Sequence, residues 1–380
     1  MQYRKLKNSD WQPSALGFGA MRFPTTDEGA IDEKRAIKMI RHAIDQGVNY
    51  IDTAWPYHDG ESEILVKKAL QDGYRKQVKL ATKLPSWELE TEEDMDYYLD
   101  KQLEKLGVDK IDFYLLHALD EDHWKTYQQL NVFDWIEKVQ NEGKIDKIGF
   151  SFHDDYKLFT EIVDAYQDWD FCQIQYNYLD RDFQAGEKGL EYAADKGLDV
   201  IVMEPLKGGT LANEQPKAVQ EVWDQADEER TPVDWALQWL WNRPEVSLVL
   251  SGMSNLQQVK ENIESADQSG IDSLTQQQLD MIDKVYEEYQ KLSAVDCTGC
   301  GYCVPCPVGV AIPNNFSLYN KAKIYDEYEA TAKRYNNMED KQKSSTCVAC
   351  GQCEEACPQN LKVSQLLDEV TAYFAKEGEI

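Results

Sequence analysis

The sequence predicts an α/β chain, with a (β/α)8 TIM barrel followed by a small, mainly α-helical domain built around cysteines. Three observations predict this arrangement. Short apolar runs alternate with amphipathic segments from residue 15 to about 265, which is the pattern of eight parallel strands and their helices. Eight of the nine cysteines lie in two clusters near the C-terminus. A chain of 380 residues is also long enough for two domains.

Eight apolar runs are the strand candidates, at residues 16–20, 48–53, 78–83, 111–117, 147–152, 172–176, 199–204 and 247–251. Between them, residues 32–46, 91–106, 184–196 and 231–241 carry apolar positions at helical spacing, and several of these segments end at glycine. An open, doubly wound sheet is the main alternative. That fold favours GxGxxG after the first strand, and residues 17–22 do not complete this motif.

The C-terminal part begins with a helical segment at residues 273–295 that leads out of the barrel. Residues 315–325, 326–335 and 361–374 also have helical patterns. We therefore predict a barrel domain at residues 1–285 and an α-helical cysteine domain at residues 286–380.

The two cysteine clusters each end in Cys-Pro. The first has the spacing C-x2-C-x2-C-x2-C-P and the second C-x2-C-x2-C-x3-C-P, with cysteines at Cys297, Cys300, Cys303, Cys306, Cys347, Cys350, Cys353 and Cys357. Three thiolates at this spacing can bind one cubane, while a fourth before proline usually binds a second cubane. The motifs predict two [4Fe-4S] clusters in a ferredoxin-like domain. Two structural zinc sites are the alternative.

By analogy with two-cluster ferredoxins, the fourth cysteine of each motif is expected to cross over to the other cluster. Cys357 would join the first three cysteines of the first motif, and Cys306 would join Cys347, Cys350 and Cys353. The first motif departs from the usual pattern because it has two residues, not three, before Cys306.

The chain is strongly acidic, with a net charge of −29 from 69 acidic and 40 basic residues. This charge disfavours binding to nucleic acid or to anionic membranes. The N-terminus lacks an apolar signal region, and no apolar run approaches membrane-spanning length. We expect a soluble, cytoplasmic protein, because a reducing compartment keeps cysteines available as thiolates.

Ionisable residues lie where three predicted strands end. Asp52, Lys83 and His117 occupy the ends of the second, third and fourth strands, and Tyr57 follows Asp52 by five residues. In a barrel, these strand ends converge on one mouth, where such folds carry their active sites. Each residue alone has a structural explanation, as a cap, a surface lysine, a packed ring or a satisfied core histidine. Together they indicate a catalytic group.

Three motifs around these residues resemble the aldo-keto reductases. Residues 50–57, YIDTAWPY, are followed by GESE at residues 60–63, and LATK at 80–83 and LLH at 115–117 continue the resemblance in order. The resemblance spans about residues 5 to 265. With the C-terminal cysteines, the whole chain is similar to aldo-keto reductases that carry a 4Fe-4S ferredoxin-like extension.

The resemblance implies roles for the four residues. Tyr57 would be the general acid that protonates a carbonyl oxygen as hydride reaches the carbon. Lys83 would lower the pKa of Tyr57, because a nearby ammonium favours the phenolate. Asp52 would keep Lys83 charged and oriented. His117 would hydrogen-bond the carbonyl oxygen.

The resemblance also implies a dinucleotide site, with matches that are less complete. The residues at the corresponding places are Gly19, Met21, Ser151, Gln173, Met203, Pro205, Leu206, Lys207, Ser251, Gly252, Ser254, Gln258, Glu261 and Asn262. Met203 stands where the family usually has an aromatic residue against the nicotinamide, and Phe152-His153 replaces an asparagine. Residues 251–262 offer no arginine and only Lys260 for a 2′-phosphate. NADH and NADPH remain undecided, and a flavin stays open.

The sequence thus predicts an oxidoreductase that transfers hydride between NAD(P)H and a small-molecule carbonyl or alcohol, with clusters that exchange electrons with a ferredoxin-type carrier. Two alternatives remain. One is a flavin- or ferredoxin-linked redox enzyme without ordinary NADPH binding, and the other is a redox-sensing subunit whose barrel only binds a nucleotide.

Overall fold

The computed structural model describes residues 1–7, 9–295, 297, 303–325, 327–357 and 361–375. Its contacts divide the chain into two units. The first comprises Met1–Ala212 and Arg230–Thr275, and the second comprises Asn213–Glu229 and Gln276–Ile380. The second unit begins earlier than the predicted residue 286, because the helix Gln276–Leu292 contacts the helices Lys217–Trp223 and Ile312–Tyr325 of that unit.

The first unit contains a closed barrel of parallel strands, which confirms the predicted fold class. The strands are β1 (Leu16–Gly19), β2 (Tyr50–Asp52), β3 (Lys79–Leu84), β4 (Ile111–Leu119), β5 (Ile145–Phe152), β6 (Phe171–Gln175), β7 (Asp199–Met203) and β8 (Val246–Gly252). Each strand pairs with its neighbours in sequence order, and β1 pairs with β8 to close the barrel. The open-sheet alternative is therefore wrong.

Helices follow the strands and continue into the second unit. They are α1 (Glu33–Asp45), α2 (Ser62–Ala69), α3 (Glu92–Leu106), α4 (Glu121–Gln129), α5 (Val132–Asn141), α6 (Tyr156–Ala165), α7 (Gly186–Asp195), α8 (Lys217–Trp223), α9 (Pro232–Trp241), α10 (Leu256–Asp267), α11 (Gln276–Leu292), α12 (Ile312–Tyr325), α13 (Tyr328–Asn336), α14 (Gln352–Glu355) and α15 (Val363–Phe374).

Local sequence explains where these helices begin and end. The predicted start of α3 is a capping box, in which the Thr91 and Asp94 side chains bind each other's backbone N–H groups. Its end is Gly107, whose φ of 65° is a left-handed conformation that glycine adopts without steric cost. These caps set the length of α3 and thereby the point at which the chain enters β4.

The interior of the barrel is filled by side chains from most of its strands, so it is a packed core and not a pore. The buried cluster consists of Tyr50, Ala81, Phe113, Leu115, Phe171, Ile201, Leu248 and Leu250, with Trp11 packed against it. Apolar packing holds the strands at fixed spacing. The strand ends above this core can therefore hold polar side chains in defined positions.

The second unit has its own apolar core. Buried side chains from α12, α13 and α15, including Phe316, Tyr335 and Phe374, form this core, and several cysteines pack against it. The predicted helical character of this domain is confirmed in the described residues. Within the same ranges, no helix has both the length and the apolar composition needed to cross a bilayer.

Candidate functional site

A buried ion pair lies at the mouth of the barrel, between the last residue of β2 and a residue near the end of β3. The Lys83 Nζ lies 2.6 Å from the Asp52 Oδ1, and the two side chains are only 1% and 4% exposed. Lys83 also donates a hydrogen bond of 2.8 Å to the carbonyl oxygen of Thr53. The ammonium is therefore fixed by two oxygens of consecutive residues, the Asp52 carboxylate oxygen and the Thr53 carbonyl oxygen.

Tyr57 lies in the loop after β2 and directs its hydroxyl towards this ammonium. The Tyr57 hydroxyl is 3.4 Å from the Lys83 Nζ, which lies 4.9 Å from the centre of the tyrosine ring. Burial raises the pKa of Tyr57 above its ordinary value, and the Lys83 ammonium opposes this rise. The lysine acts in the predicted direction, but burial outweighs it, so the phenol is protonated at neutral pH.

Burial and pairing act against each other on the two charged groups. Burial alone would lower the pKa of Lys83, but the Asp52 carboxylate and the Tyr57 side chain together outweigh it, and the pKa of Lys83 is raised. Burial raises the pKa of Asp52, while the Lys83 ammonium opposes that shift. Lys83 is therefore a permanent cation at neutral pH beneath the Tyr57 hydroxyl.

His117 faces the same site from β4. Its ring meets the Tyr57 ring edge-on, with 6.1 Å between the ring centres. The next residue, Ala118, has a left-handed φ of 52° where the pairing of β4 with β5 shifts register. Burial is the main reason that the pKa of His117 lies well below its ordinary value, and the Lys83 ammonium adds to the effect. The imidazole is thus neutral.

Two predicted cofactor residues lie beside the ion pair and the histidine. The Gln173 Nε2 is 3.5 Å from the Asp52 Oδ2, and the Gln173 Oε1 is buried with no partner among the described residues. The Ser151 hydroxyl accepts a 2.7 Å hydrogen bond from the Ala118 N–H. The structure therefore brings Gln173 and Ser151 together with Asp52, Lys83, Tyr57 and His117.

A buried carboxylate behind β3 supports this arrangement. Glu63 is completely buried and accepts hydrogen bonds from Thr82 and Gln102, both of 2.7 Å. Gln102 also donates to the carbonyl oxygen of Lys83 at 3.0 Å. Sequence reasoning gave Glu63 no role, although its motif was recognised. Its position indicates that it fixes the backbone that carries Lys83.

A groove of about 270 Å³ is lined by most of the predicted cofactor-binding residues that lie at or after the ends of β7 and β8. The predicted residues that line it are Pro205, Leu206, Ser251, Gly252, Ser254, Gln258, Glu261 and Asn262. Asn262 donates a 2.9 Å hydrogen bond to the Ser251 hydroxyl. Gly208 and Gly209 also line the groove, and both have the left-handed φ angles that favour glycine.

Two charged residues in this groove were missed by the sequence reasoning. Arg22, from the loop after β1, lines the groove and lies 3.6 Å from the Glu204 carboxylate at the end of β7. A Cβ atom placed on Gly252 would come within 3.2 Å of the Arg22 stem, so the arginine lies across β8 at this glycine. The only sequence signal for Arg22 as a groove residue was its position as a cation soon after the first strand.

Lys207 differs from the expectation. The resemblance places it in the dinucleotide site, but its ammonium forms an ion pair with Asp180 and the residue does not line the groove. Asp180 also accepts hydrogen bonds from Gln175, the last residue of β6, and from Asn177 in the segment that follows. The Lys207 ammonium is directed to this carboxylate.

The remaining predicted cofactor residues occupy the edges of the mouth. Gly19 ends β1, where a Cβ atom would lie 3.3 Å from the backbone oxygen of Ser251. Met203 ends β7 and is half-buried, whereas Met21 is largely exposed. None of these three residues lines the groove.

In the second unit, cysteines from both motifs line one cavity of about 220 Å³. Cys306 meets Cys347, Cys350 and Cys353 there, the four residues expected to bind one cluster, and Cys303 lines the same cavity. Cys297 and Cys357 are partly buried against the apolar core. Cys300 lies outside the described residues.

The thiols surround a space instead of converging on a point. In the described part of the chain, no three cysteine, histidine or carboxylate side chains are placed to hold a single metal ion. A structural zinc site needs four ligands at about 2.0–2.3 Å from one ion. A cubane presents several irons to its thiolates, so a cavity lined by cysteines of both motifs suits a cluster.

Comparison with known proteins matches both units. The Aldo/keto reductase family matches residues 15–287, and a 4Fe-4S dicluster domain matches residues 296–361. An uncharacterized oxidoreductase of Schizosaccharomyces pombe is 29% identical, over 69% of this chain and 84% of its own length. An NADH-specific methylglyoxal reductase of Escherichia coli is 27% identical, over 62% and 83%.

A solved structure of similar fold is the holo form of aldo-keto reductase AKR11C1 from Bacillus halodurans. It has a TM-score of 0.62 and 26% identity, and the match covers 75% of this chain and 96% of that one. The matched part of the chain is therefore a full-length counterpart of a barrel enzyme, and the cysteine unit is additional.

The buried ion pair predicts a strong coupling between its members. Lys83→Met should lower the free energy of unfolding by about 3–5 kcal/mol, because it leaves the Asp52 carboxylate buried without a counter-charge. The double variant Asp52→Asn/Lys83→Met should lose less unfolding free energy than the sum of the losses in the single variants Asp52→Asn and Lys83→Met. Chemical denaturation of oxygen-free protein, followed by circular dichroism, measures this difference.

Lys79→Met is the matched control, since the Lys79 Nζ lies 3.0 Å from the buried Asp112 carboxylate, while the Lys79 side chain itself is 31% exposed. Asp112 keeps Arg75 as a second partner at 2.6 Å, so a loss of only about 0–1 kcal/mol is expected. If the losses of unfolding free energy in the two single variants simply added up in the Asp52/Lys83 double variant, the proposed coupling would be contradicted.

Proposed function

Because the chain belongs to the aldo/keto reductase family, we propose that its barrel transfers hydride between a nicotinamide dinucleotide and a small-molecule carbonyl or alcohol. The observation that carries this proposal is the position of the Tyr57 hydroxyl, 3.4 Å from an ammonium that Asp52 holds at 2.6 Å. A phenol, a fixed cation and its counter-ion are the parts that acid–base catalysis at a carbonyl oxygen needs.

The residues at the mouth fit a nicotinamide dinucleotide. Gln173 has a buried oxygen without a partner among the described residues, which suits the amide of a nicotinamide. The groove offers Gly208 and Gly209 for close approach of a diphosphate to the backbone, and Asn262 and Ser251 as polar contacts. When bound, the nicotinamide supplies or accepts the hydride.

Tyr57 handles the proton in this proposal. Its hydroxyl gives a proton to the carbonyl oxygen in reduction, and its phenolate takes one from the alcohol in oxidation. Burial keeps the phenol protonated, and the Lys83 ammonium stabilises the phenolate that forms during reduction. Because Lys83 is only 1% exposed, little water competes with the phenol for this charge.

His117 positions the same oxygen. Its pKa lies well below the ordinary value, so the neutral ring can donate one N–H without adding a second cation beside Lys83. The Ser86 hydroxyl donates to the carbonyl oxygen of His117, and the Ala118 N–H donates to Ser151. These bonds on the backbone around His117 hold its ring against Tyr57.

The dicluster domain adds carriers of single electrons to this chemistry. We assign one cluster to Cys306, Cys347, Cys350 and Cys353, which line one cavity. Cys303 lines the same cavity, and the analogy with two-cluster ferredoxins assigns it to the other cluster. The other would take Cys297, Cys300, Cys303 and Cys357. A ferredoxin-type protein is the proposed external carrier for these single electrons. Such thiolates need a reducing compartment, which favours a cytoplasmic location.

A flavin-linked redox enzyme is the second candidate. Lys207 is paired with Asp180 and does not offer its charge to a diphosphate in the groove, which weakens the case for ordinary NADPH binding. A flavin would also convert the two electrons of a hydride into single electrons for the clusters. A yellow chromophore released from denatured, oxygen-free protein would favour this candidate.

Tyr57→Phe should lower the rate of carbonyl reduction by about 10²–10⁴-fold while dinucleotide affinity is retained, because only the proton donor is removed. The measurement is steady-state turnover under anaerobic conditions over a panel of carbonyl compounds. Tyr98→Phe is the matched control, since the Tyr98 hydroxyl donates a 3.3 Å hydrogen bond to the exposed Glu88.

Equal turnover by wild type and Tyr57→Phe would end the proposal of Tyr57 as the acid. Dinucleotide binding without turnover of any carbonyl or alcohol would instead favour a nucleotide-binding sensor.

Cys350→Ser should remove one cluster and leave the other. Iron and acid-labile sulfide should each fall from about eight to about four per chain, because Cys350 is a proposed ligand of one cubane only. Cys172→Ser is the control, because Cys172 is buried in β6, outside both motifs. Zinc in place of iron and sulfide in the oxygen-free wild-type protein would refute the iron–sulfur assignment.

A further inference from the structure

We propose that the groove at the ends of β7 and β8 selects NADH and discriminates against the 2′-phosphate of NADPH. This inference rests on the proposed function, because it concerns the dinucleotide that the barrel binds. It depends on three features of the groove, which are the pairing of its arginine, the capping of the helix that begins at its wall, and the charge of its lining.

The first feature is Arg22, the one cationic residue among those described as lining the groove. Its guanidinium lies 3.6 Å from the Glu204 carboxylate. Glu204 is held in place, because its backbone is left-handed at φ 55° and its carboxylate accepts the Gly208 N–H. A phosphate that recruited Arg22 would meet this carboxylate beside it, and Glu204 already offsets the charge of the arginine.

The second feature is the start of α10. The first N–H groups of a helix can bind a phosphate when they are free. Here the Asn255 side chain accepts the Gln258 N–H at 3.0 Å, and the Gln258 side chain accepts the Ser254 N–H at 2.7 Å. Side chains of the same segment therefore already occupy one N–H group in the first turn of α10 and one just before the helix.

The third feature is the charge of the groove. Glu261 lines it from α10, and its carboxylate accepts a 2.9 Å hydrogen bond from Gln257, a neutral group that does not cancel its charge. Arg22 and Glu204 together contribute no net charge, so Glu261 leaves the lining with a net charge of −1. Lys260, the cation that the sequence offered, does not line the groove.

These features act on a phosphate far more than on a hydroxyl. A 2′-phosphate carries a charge of about −1.5 to −2 near neutral pH and needs cationic or N–H donors to replace its water. The 2′-hydroxyl of NADH is neutral, and the Gln258 and Glu261 side chains offer it acceptors. The same wall that repels NADPH can therefore bind NADH.

The test compares the dissociation constants of NADH and NADPH for the oxygen-free, cluster-loaded protein by calorimetry. Wild type should bind NADH at least about tenfold more tightly than NADPH. Glu261→Arg should shift the ratio of the two affinities towards NADPH by at least about fivefold, because it replaces repulsion with a guanidinium. Glu264→Arg makes the same change on an exposed residue of α10 that does not line the groove, and it should leave the ratio within about twofold.

The outcomes separate this inference from the proposal on which it rests. NADPH binding as tightly as NADH would overturn the selectivity and leave the hydride-transfer proposal intact. A selective loss of NADPH affinity in Arg22→Gln would also overturn it, by showing that Arg22 leaves Glu204 to bind the phosphate. Failure of both dinucleotides to bind would refute the proposed function itself.

Discussion

The arrangement of the barrel mouth depends on one interaction, the buried ion pair between Asp52 and Lys83. Closure of the barrel places the ends of β2 and β3 side by side, and the apolar core beneath them keeps water away. An ammonium in such a place persists only with a counter-charge. With Asp52 beside it, Lys83 stays charged, and this fixed cation lies 3.4 Å from the Tyr57 hydroxyl, the proton donor that we propose.

The second unit meets a different constraint. A small domain has little apolar surface to bury, and here its core packs directly against cysteines of both motifs. Cys306, from the first motif, lies with three cysteines of the second motif around one cavity. Ligation across the motifs would therefore join the ends of the domain and stabilise its fold, while it holds the cluster.

Much of this could be predicted because it depends on local patterns. The strands follow apolar runs, and Asp52, Lys83 and His117 follow from where those runs end. The groove was only partly predictable, since side-chain direction depends on neighbours distant in sequence. Lys207 is directed to Asp180, and Arg22 crosses from β1 to Glu204 at the end of β7. No spacing along the chain encodes these two choices of partner.

A crystal structure of the anaerobically purified protein with bound NADH tests the central claim most directly. The account predicts that the nicotinamide lies at the barrel mouth beside the Tyr57 hydroxyl, and that the rest of the dinucleotide runs into the groove between Leu206 and Gly252. A flavin filling the mouth, or a dinucleotide bound away from Tyr57, would contradict it.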